Sequence, residues 1–364
     1  MRNSDAEDQA AETPAEQITK TGGPVAPILR RSFLLGAGAV AASSAAVVRA
    51  RAQQKFTLRL ATWGAPSAPQ VHEFVATFQA AVQKGSGGRI TVQSFPAGSL
   101  VNERAVPSAI QSQVVDISLT TMGSWASIVP TAGAINTVFF RPTADKFDKI
   151  IGPNTPLFEA LDKDMTSHGV RLLAMLYNGP VVVVSRMPLT SPADFRGKTI
   201  RVFDRLTAET VQTLHGAPST IEVADVYPAL QRGAVQAAIG GLEGAIGLKE
   251  YEIAKNLLAT NGVFGLLLTG YVMNKRALDA LPPDLQKVVL DSGYAASKAA
   301  CKAMIAAYEK ELVQMHEHGM TVTKLEPQSD AYKAFTAALA PLAKTQESRF
   351  PPALVKQVID AQRV

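Results

Sequence analysis

The sequence predicts an α/β protein built in two blocks and joined near its C-terminal end by one long helix. Three observations carry this. Strand-like and helix-like periodicities take turns over residues 55–121 and again from about 170 to 271. From Pro283 to His318 the pattern is helical almost without interruption. The chain has 364 residues, and setting aside the first 52 leaves 312, enough for two domains of ordinary size.

The first block opens with Lys55–Ala61, whose alternation fits a strand. Trp63-Gly64-Ala65-Pro66 forms a loop, and Val71, Phe74, Val75, Phe78 and Val82 then recur at helical spacing until Gly85–Gly88. Arg89–Phe95 reads as a second strand, Asn102–Gln113 as a helix and Asp116–Thr121 as a third strand. Strands alternating with helices are the pattern of a parallel sheet with helical crossovers. In the second block Arg171–Tyr177 and Pro180–Ser185 are apolar runs, and Lys198–Phe203 is a strand. Ala208–His215 is helical, another helix runs from Val223 to near Gly233, and Val235–Ile239 is strand-like. Phe264–Tyr271 is apolar enough for a buried strand, so the chain crosses between the blocks more than once. In the long helix Asp284 suits the start and Gly319 the stop. A helix of that length spans about 50 Å, more than one such domain, and so bridges both; the alternative is two helices broken at Gly293.

Residues 29–53 read as an export signal. Leu29-Arg30-Arg31-Ser32-Phe33-Leu34-Leu35 leads into an apolar run ending at Val48, and Ala50-Arg51-Ala52 supplies a small-x-small cleavage site. The paired arginines point to the twin-arginine type, with an ordinary secretory signal or a retained anchor as alternatives. The polar residues 1–28 read as a disordered extension to it. The periplasm is the expected location.

Composition narrows the function. Hydrophobic residues make up 47% of the chain, so a full core can be buried. The formal charge is +5; without residues 1–52 it is +4, from 30 Lys/Arg against 26 Asp/Glu. That dispersed excess suits an anionic ligand and is no nucleic-acid footprint. Cys301 is the only cysteine, which excludes an intramolecular disulfide and reads as a packed side chain. None of the five His stands at a common zinc-motif spacing, and no nucleophile elbow, phosphate-binding loop or dinucleotide fingerprint is present. No cofactor, metal or catalytic residue is therefore expected.

Several ordered segments resemble the solute-binding proteins of tripartite ATP-independent periplasmic (TRAP) transporters. They are Phe95-Pro96-Ala97-Gly98-Ser99-Leu100, the turn and strand Pro188–Val202 with Lys198-Thr199-Ile200-Arg201-Val202, the run Ala229–Ala238, and Tyr271–Arg276 followed by Leu281-Pro282-Pro283-Asp284. The resemblance implies a two-domain periplasmic binding protein clamp with a long domain-bridging helix. It divides the chain into 53–177 plus about 268–300 and 178–267 plus about 301–364. It also implies a small organic acid ligand and membrane transporter subunits as partners.

In that family an arginine of the Ile-Arg-Val strand holds the ligand carboxylate, which maps to Arg201. Two departures stand out. Val181, after Asn178-Gly179, occupies the place of a second arginine, and Gly240 stands opposite a ligand-contacting asparagine. A pocket short of one cation and one amide favours a smaller or more apolar carboxylate.

Strand ends supply further candidates. Trp63 is placed to cover a ligand's apolar face or to join the core. Thr121 and Met122 end the third strand, and Asn178 precedes the missing arginine. Phe203 and Asp204 follow Arg201, with Asp204 orienting the guanidinium or starting the next turn. Glu243 holds a ligand cation or is a solvated loop carboxylate. Two other classes stay open: an extracytoplasmic enzyme on a similar scaffold, and the receptor of an ATP-driven importer. The export reading is open to a direct check. Replacing Arg30 and Arg31 by Lys should stop export while N-terminal sequencing of the exported wild type begins near Gln53, and unchanged export would assign the general secretory route.

Overall fold

The computed structural model describes residues 54–363. The expected export segment and its cleavage site lie outside the described residues. The strands, in chain order, are β1 (Phe56–Ala61), β2 (Ile90–Phe95), β3 (Ile117–Thr121), β4 (Val170–Pro180), β5 (Val182–Ser185), β6 (Thr199–Val202), β7 (Ala217–Thr220), β8 (Ala237–Gly240), β9 (Asn256–Ala259), β10 (Leu266–Asn274) and β11 (Thr321–Lys324). They form two sheets. The first has the order β2-β1-β3-β10-β4, and the second β11-β9-β5-β8-β6-β7.

Neither sheet is purely parallel, as the alternating pattern had led one to expect. β1 pairs in parallel with β2 and β3, but β10 runs antiparallel to both β3 and β4. In the second sheet β5 runs antiparallel to β8 and β9. The cause is topological. β4 leaves the first sheet at Pro180, and β5 enters the second at Val182 after one intervening residue. β9 and β10 make the return journey, so each sheet receives one strand arriving from the other. The two crossings lie side by side: Val181 donates its N–H to the Gly265 carbonyl (3.4 Å), and its own carbonyl accepts from Thr260 Oγ1 (2.6 Å). Gly262 and Gly265 hold φ of 76° and 92° here, angles that favour glycine. The return crossing thus spans residues 260–265.

Each sheet is covered on both faces by helices. The helix Pro69–Gly85 starts with a proline in its first turn and buries Val71, Phe74, Phe78 and Val82 against the first sheet. The sequence reading left residues 122–168 unassigned. They fold into the helices Pro130–Ile135, Phe147–Ile151 and Pro156–Ser167 and seal the opposite face with Trp125, Phe140, Phe147 and Phe158. In the second sheet Phe195, Phe264 and Phe335 meet edge to face at 5.3–5.7 Å between centroids, a favourable arrangement for buried rings.

The long helix is continuous over Pro283–Glu317, 35 residues, with no break at Gly293. Its N-terminal half buries Leu285, Val289, Ala296 and Ala300 with the first sheet's cluster, while Leu312 and Met315 belong to a cluster of the second. One helix is therefore shared by both lobes. Its small residues allow it to lie close on β4: Ser297 Oγ donates to the Met175 carbonyl at 2.7 Å, and a methyl group on Gly293 would stand 2.9 Å from the Leu173 carbonyl oxygen. The division drawn from the sequence places 301–364 with the second lobe. The helix Asp330–Glu347 does bury Phe335, Leu339 and Leu342 there, but the last helix, Pro352–Ala361, buries Val358 in the first lobe's cluster.

Gly293→Ala should therefore destabilise the protein, although alanine is the better helix former by about 1 kcal/mol. Overpacking against strand backbone costs about 1–3 kcal/mol, so a lowered denaturant midpoint is expected. A raised midpoint would mean that β4 moves aside freely.

Candidate functional site

A cavity of about 60 Å³ lies in the cleft between the two sheets. Trp63, in the loop after β1, and Glu103, in the single turn Glu103–Ala105, reach it from the first lobe. Arg201 on β6, Phe203, Gly240, Gly241, Glu243 and Glu250 reach it from the second. Val223, Val226, Leu248 and Leu267 complete an apolar lining.

Arg201 is the centre of this arrangement. It is only 5% exposed. Its Nε donates to the Ile221 carbonyl (3.0 Å) and Nη1 to the Ile239 carbonyl (2.9 Å), while buried Nη2 has no protein partner. The guanidinium carbon stands 5.6 Å from the centroid of the Phe203 ring. The sequence builds this locally. Arg201 pairs across the ladder with Ala238 of β8, and Gly240 at the end of β8 leaves its wall open: a methyl group there would lie 3.6 Å from Nη1. Burial lowers the Arg201 pKa from its usual value, and the charges of Glu103, Glu250, Asp204 and Glu222 oppose that shift.

Three carboxyl groups share the cleft. Burial pushes Glu103, Glu243 and Glu250 up to about 7 each; Arg201 partly offsets this for Glu103 and Glu250. Glu243 Oε1 accepts from Gln70 Nε2 (3.3 Å) and Asn178 Nδ2 (3.4 Å), and Asn178 Oδ1 in turn accepts from Thr269 Oγ1 (2.5 Å). Gly241 makes the room, because a methyl group there would lie 2.5 Å from both Glu243 carboxylate oxygens.

The sequence-derived candidates divide accordingly. Trp63, Arg201, Phe203, Gly240 and Glu243 come together on one cavity. Asn178 is buried behind Glu243 and orients it. Asp204 lies off the cavity wall; it caps the helix Arg205–Thr213 through Thr207 and accepts from Asn136 of the first lobe at 2.9 Å. Thr121 and Met122 are also not on the wall. Thr121 Oγ1 bonds Ser124 Oγ at 2.7 Å, and Met122 begins a single turn that buries its side chain in the first lobe's core. Val181, in the place of the expected second arginine, is fully buried in the second lobe's cluster. Glu103 and Glu250 were not singled out in the sequence: each is a charged residue at the start of a single turn, a place where exposed acids are common.

Contacts across the cleft hold the lobes together. Besides Gln70–Glu243 and Asn136–Asp204, Arg104 Nε stands 3.4 Å from Glu222 Oε1. A methyl group on Gly123 would collide with the Asp204 carboxylate, so glycine permits this approach.

The family model of the bacterial extracellular solute-binding proteins, family 7, matches residues 61–349. The chain belongs to this family. It is a solute receptor of the TRAP type, and the family's members are binding proteins, which points away from an enzyme. It is 26% identical over 272 residues to the 2,3-diketo-L-gulonate-binding periplasmic protein of Escherichia coli, covering 74% of this chain and 80% of that one. It is 28% identical over 269 residues to the ectoine-binding periplasmic protein of Halomonas elongata, covering 71% and 76%. The fold matches the sugar acid binding protein of Advenella mimigardefordensis, solved with galactonate, with a TM-score of 0.79 at 19% identity over 85% of this chain and 98% of that one. Among the described residues no helix is long and apolar enough to cross a membrane.

The raised carboxyl groups give this receptor a pH signature. Between the ordinary glutamate value of 4.5 and about 7, the folded chain holds protons that the unfolded chain has released. The stability they contribute is complete below 4.5 and is lost as pH rises through about 7. The ligand-free protein should therefore melt at progressively lower temperature from pH 5 to 7.5, and replacing all three by Gln should flatten that slope. An unchanged slope in the triple variant would show that the loss arises elsewhere.

Proposed function

We propose that this TRAP receptor, exported to the periplasm, closes its two lobes on a compact carboxylate held by Arg201 and passes it unaltered to the membrane subunits of its transporter. The observation that carries this is the guanidinium itself: it is buried, fixed by two backbone carbonyls, and left with Nη2 unpartnered beside the cavity. Guanidinium stays charged and offers parallel donors that match a carboxylate, and a cleft shielded from water strengthens such a pair. The relatives named above bind 2,3-diketo-L-gulonate and ectoine, and the structural neighbour holds galactonate. In this chain Val181 and Gly240 replace a cation and an amide, and the cavity is small and partly apolar, which favours a compact ligand over a highly hydroxylated one. Opening would turn on the paired crossings at residues 180–182 and 260–265 and break the contacts of Glu243, Asp204 and Glu222 across the cleft.

Arg201 tests the reading. Mass spectrometry of small molecules released from the purified protein supplies the ligand, and calorimetry measures its affinity. Arg201→Lys keeps the charge but loses the fork. Charge-assisted hydrogen bonds contribute about 1.5–3 kcal/mol, so binding should weaken roughly tenfold to a hundredfold. Arg201→Ala should weaken it further, since it leaves a carboxylate buried without a partner. Wild-type affinity in Arg201→Ala would remove the binding role, and thermal melts separate loss of binding from loss of fold.

A further inference from the structure

Acids outnumber bases in the cleft. Among the residues lining the cavity Arg201 is the sole Lys or Arg, while Glu103, Glu243 and Glu250 all line it. They converge from three separate elements: the turn Glu103–Ala105 of the first lobe, the first turn of the helix Leu242–Gly247, and the turn Glu250–Glu252. None of the three pairs with the guanidinium. Among the described residues no carboxylate oxygen lies within 4.0 Å of an Arg201 nitrogen, whose bonds go to the Ile221 and Ile239 carbonyls. So the cleft presents an unpaired, nine-tenths-buried cation and, around it, carboxylates with no cationic partner of their own. The groups that face them add to the imbalance: Asp204 and Glu222 beside Glu103, and Glu311 of the long helix beside Glu243, with Arg104 already engaged by Glu222. The acids are not grouped as metal ligands.

Resting on the carboxylate-receptor reading above, we propose that the ligand is a small zwitterion, its carboxylate on Arg201 and its ammonium or quaternary nitrogen toward Glu103 and Glu250. A simple anion would share a cleft of low dielectric with three acids. Like charges at such range repel strongly, and each acid escapes only by taking a proton. A zwitterion resolves both needs with one molecule: the guanidinium gains its anion, and the acids gain their cation. Trp63 lines the same cavity, and indole is the aromatic group that attracts a cation most strongly. The cavity is narrow, which favours compact zwitterions such as amino acids and betaines.

The two ligand classes predict opposite proton traffic. A cation keeps the acids ionised, so a zwitterion binding near pH 7 releases protons. A plain anion binds to the protonated acids and takes protons up. The test is a thermal-shift panel of the twenty amino acids, gamma-aminobutyrate and glycine betaine, each against a matched acid without nitrogen, such as L-lactate for L-alanine, cyclopentanecarboxylate for L-proline and butyrate for gamma-aminobutyrate. Hits are then titrated by calorimetry in buffers of different ionisation enthalpy.

At least one zwitterion should bind ten times more tightly than its matched acid and release protons. The double substitution Glu103→Gln and Glu250→Gln should cut its affinity at least tenfold and improve that of the matched acid, a reversal that a purely structural role would not produce. A matched acid that binds as tightly as its zwitterion, or binding with proton uptake, overturns the proposal while leaving the carboxylate reading intact. A panel without any binder overturns it as well. Binding that survives Arg201→Ala unchanged overturns the carboxylate reading itself.

Discussion

A buried guanidinium that its own protein does not neutralise is a demanding thing to build, and much of this structure is arranged around one. Removing a charge from water is costly, and the cost is ordinarily met by an ion pair. Arg201 is held instead by the carbonyls of Ile221 and Ile239, neutral partners that fix its orientation. The acids that surround it act through space. This arrangement leaves binding energy unspent in the free protein, to be gained when a carboxylate arrives. It also explains why the position sits on β6, in the interior of a six-stranded sheet: the strand backbone, locked by β7 and β8, prevents the side chain from swinging out to solvent.

The glycines of the cleft serve the same end. Gly241 gives its space to Glu243, and Gly240 leaves the wall beside Arg201 open. Gly123 gives its space to Asp204 on the opposite lobe. The pocket presents open space at 240 and a buried acid at 243, and both bear on what it can hold.

How much of this was legible in the sequence depends on what each feature leaves in the chain. Two α/β blocks and a bridging helix follow from periodicity, and Arg201 follows from its Ile-Arg-Val strand. Gly293 looked like a possible break because propensity sees only the helix; its reason lies in the Leu173 backbone across the interface. The directions of β5 and β10 were illegible because a strand's alternation is the same read either way. Thr121 and Met122 are legible only in part. They do end a strand at the right edge of the sheet, but the chain turns at once and carries both side chains inward. Glu103 and Glu250 show the opposite failure. An acid in a short turn normally faces solvent, whereas these two are buried at the cleft between the lobes.

The position of β10 has a consequence for how the protein comes into being. It fills the gap between β3 and β4 in the first sheet, yet it comes from residues 266–274, and the helix that covers this sheet and the helix that ends the chain come later still. A nascent chain that has emerged as far as β4 therefore carries three paired strands and a fourth with no neighbour, two bare edges and uncovered apolar faces. The first lobe to be synthesised is among the last to be completed. Until the final hundred residues are made, this half of the molecule is a partner for any chaperone or any stray strand it meets. The first sheet therefore depends for its completion on chain made long after its first strands.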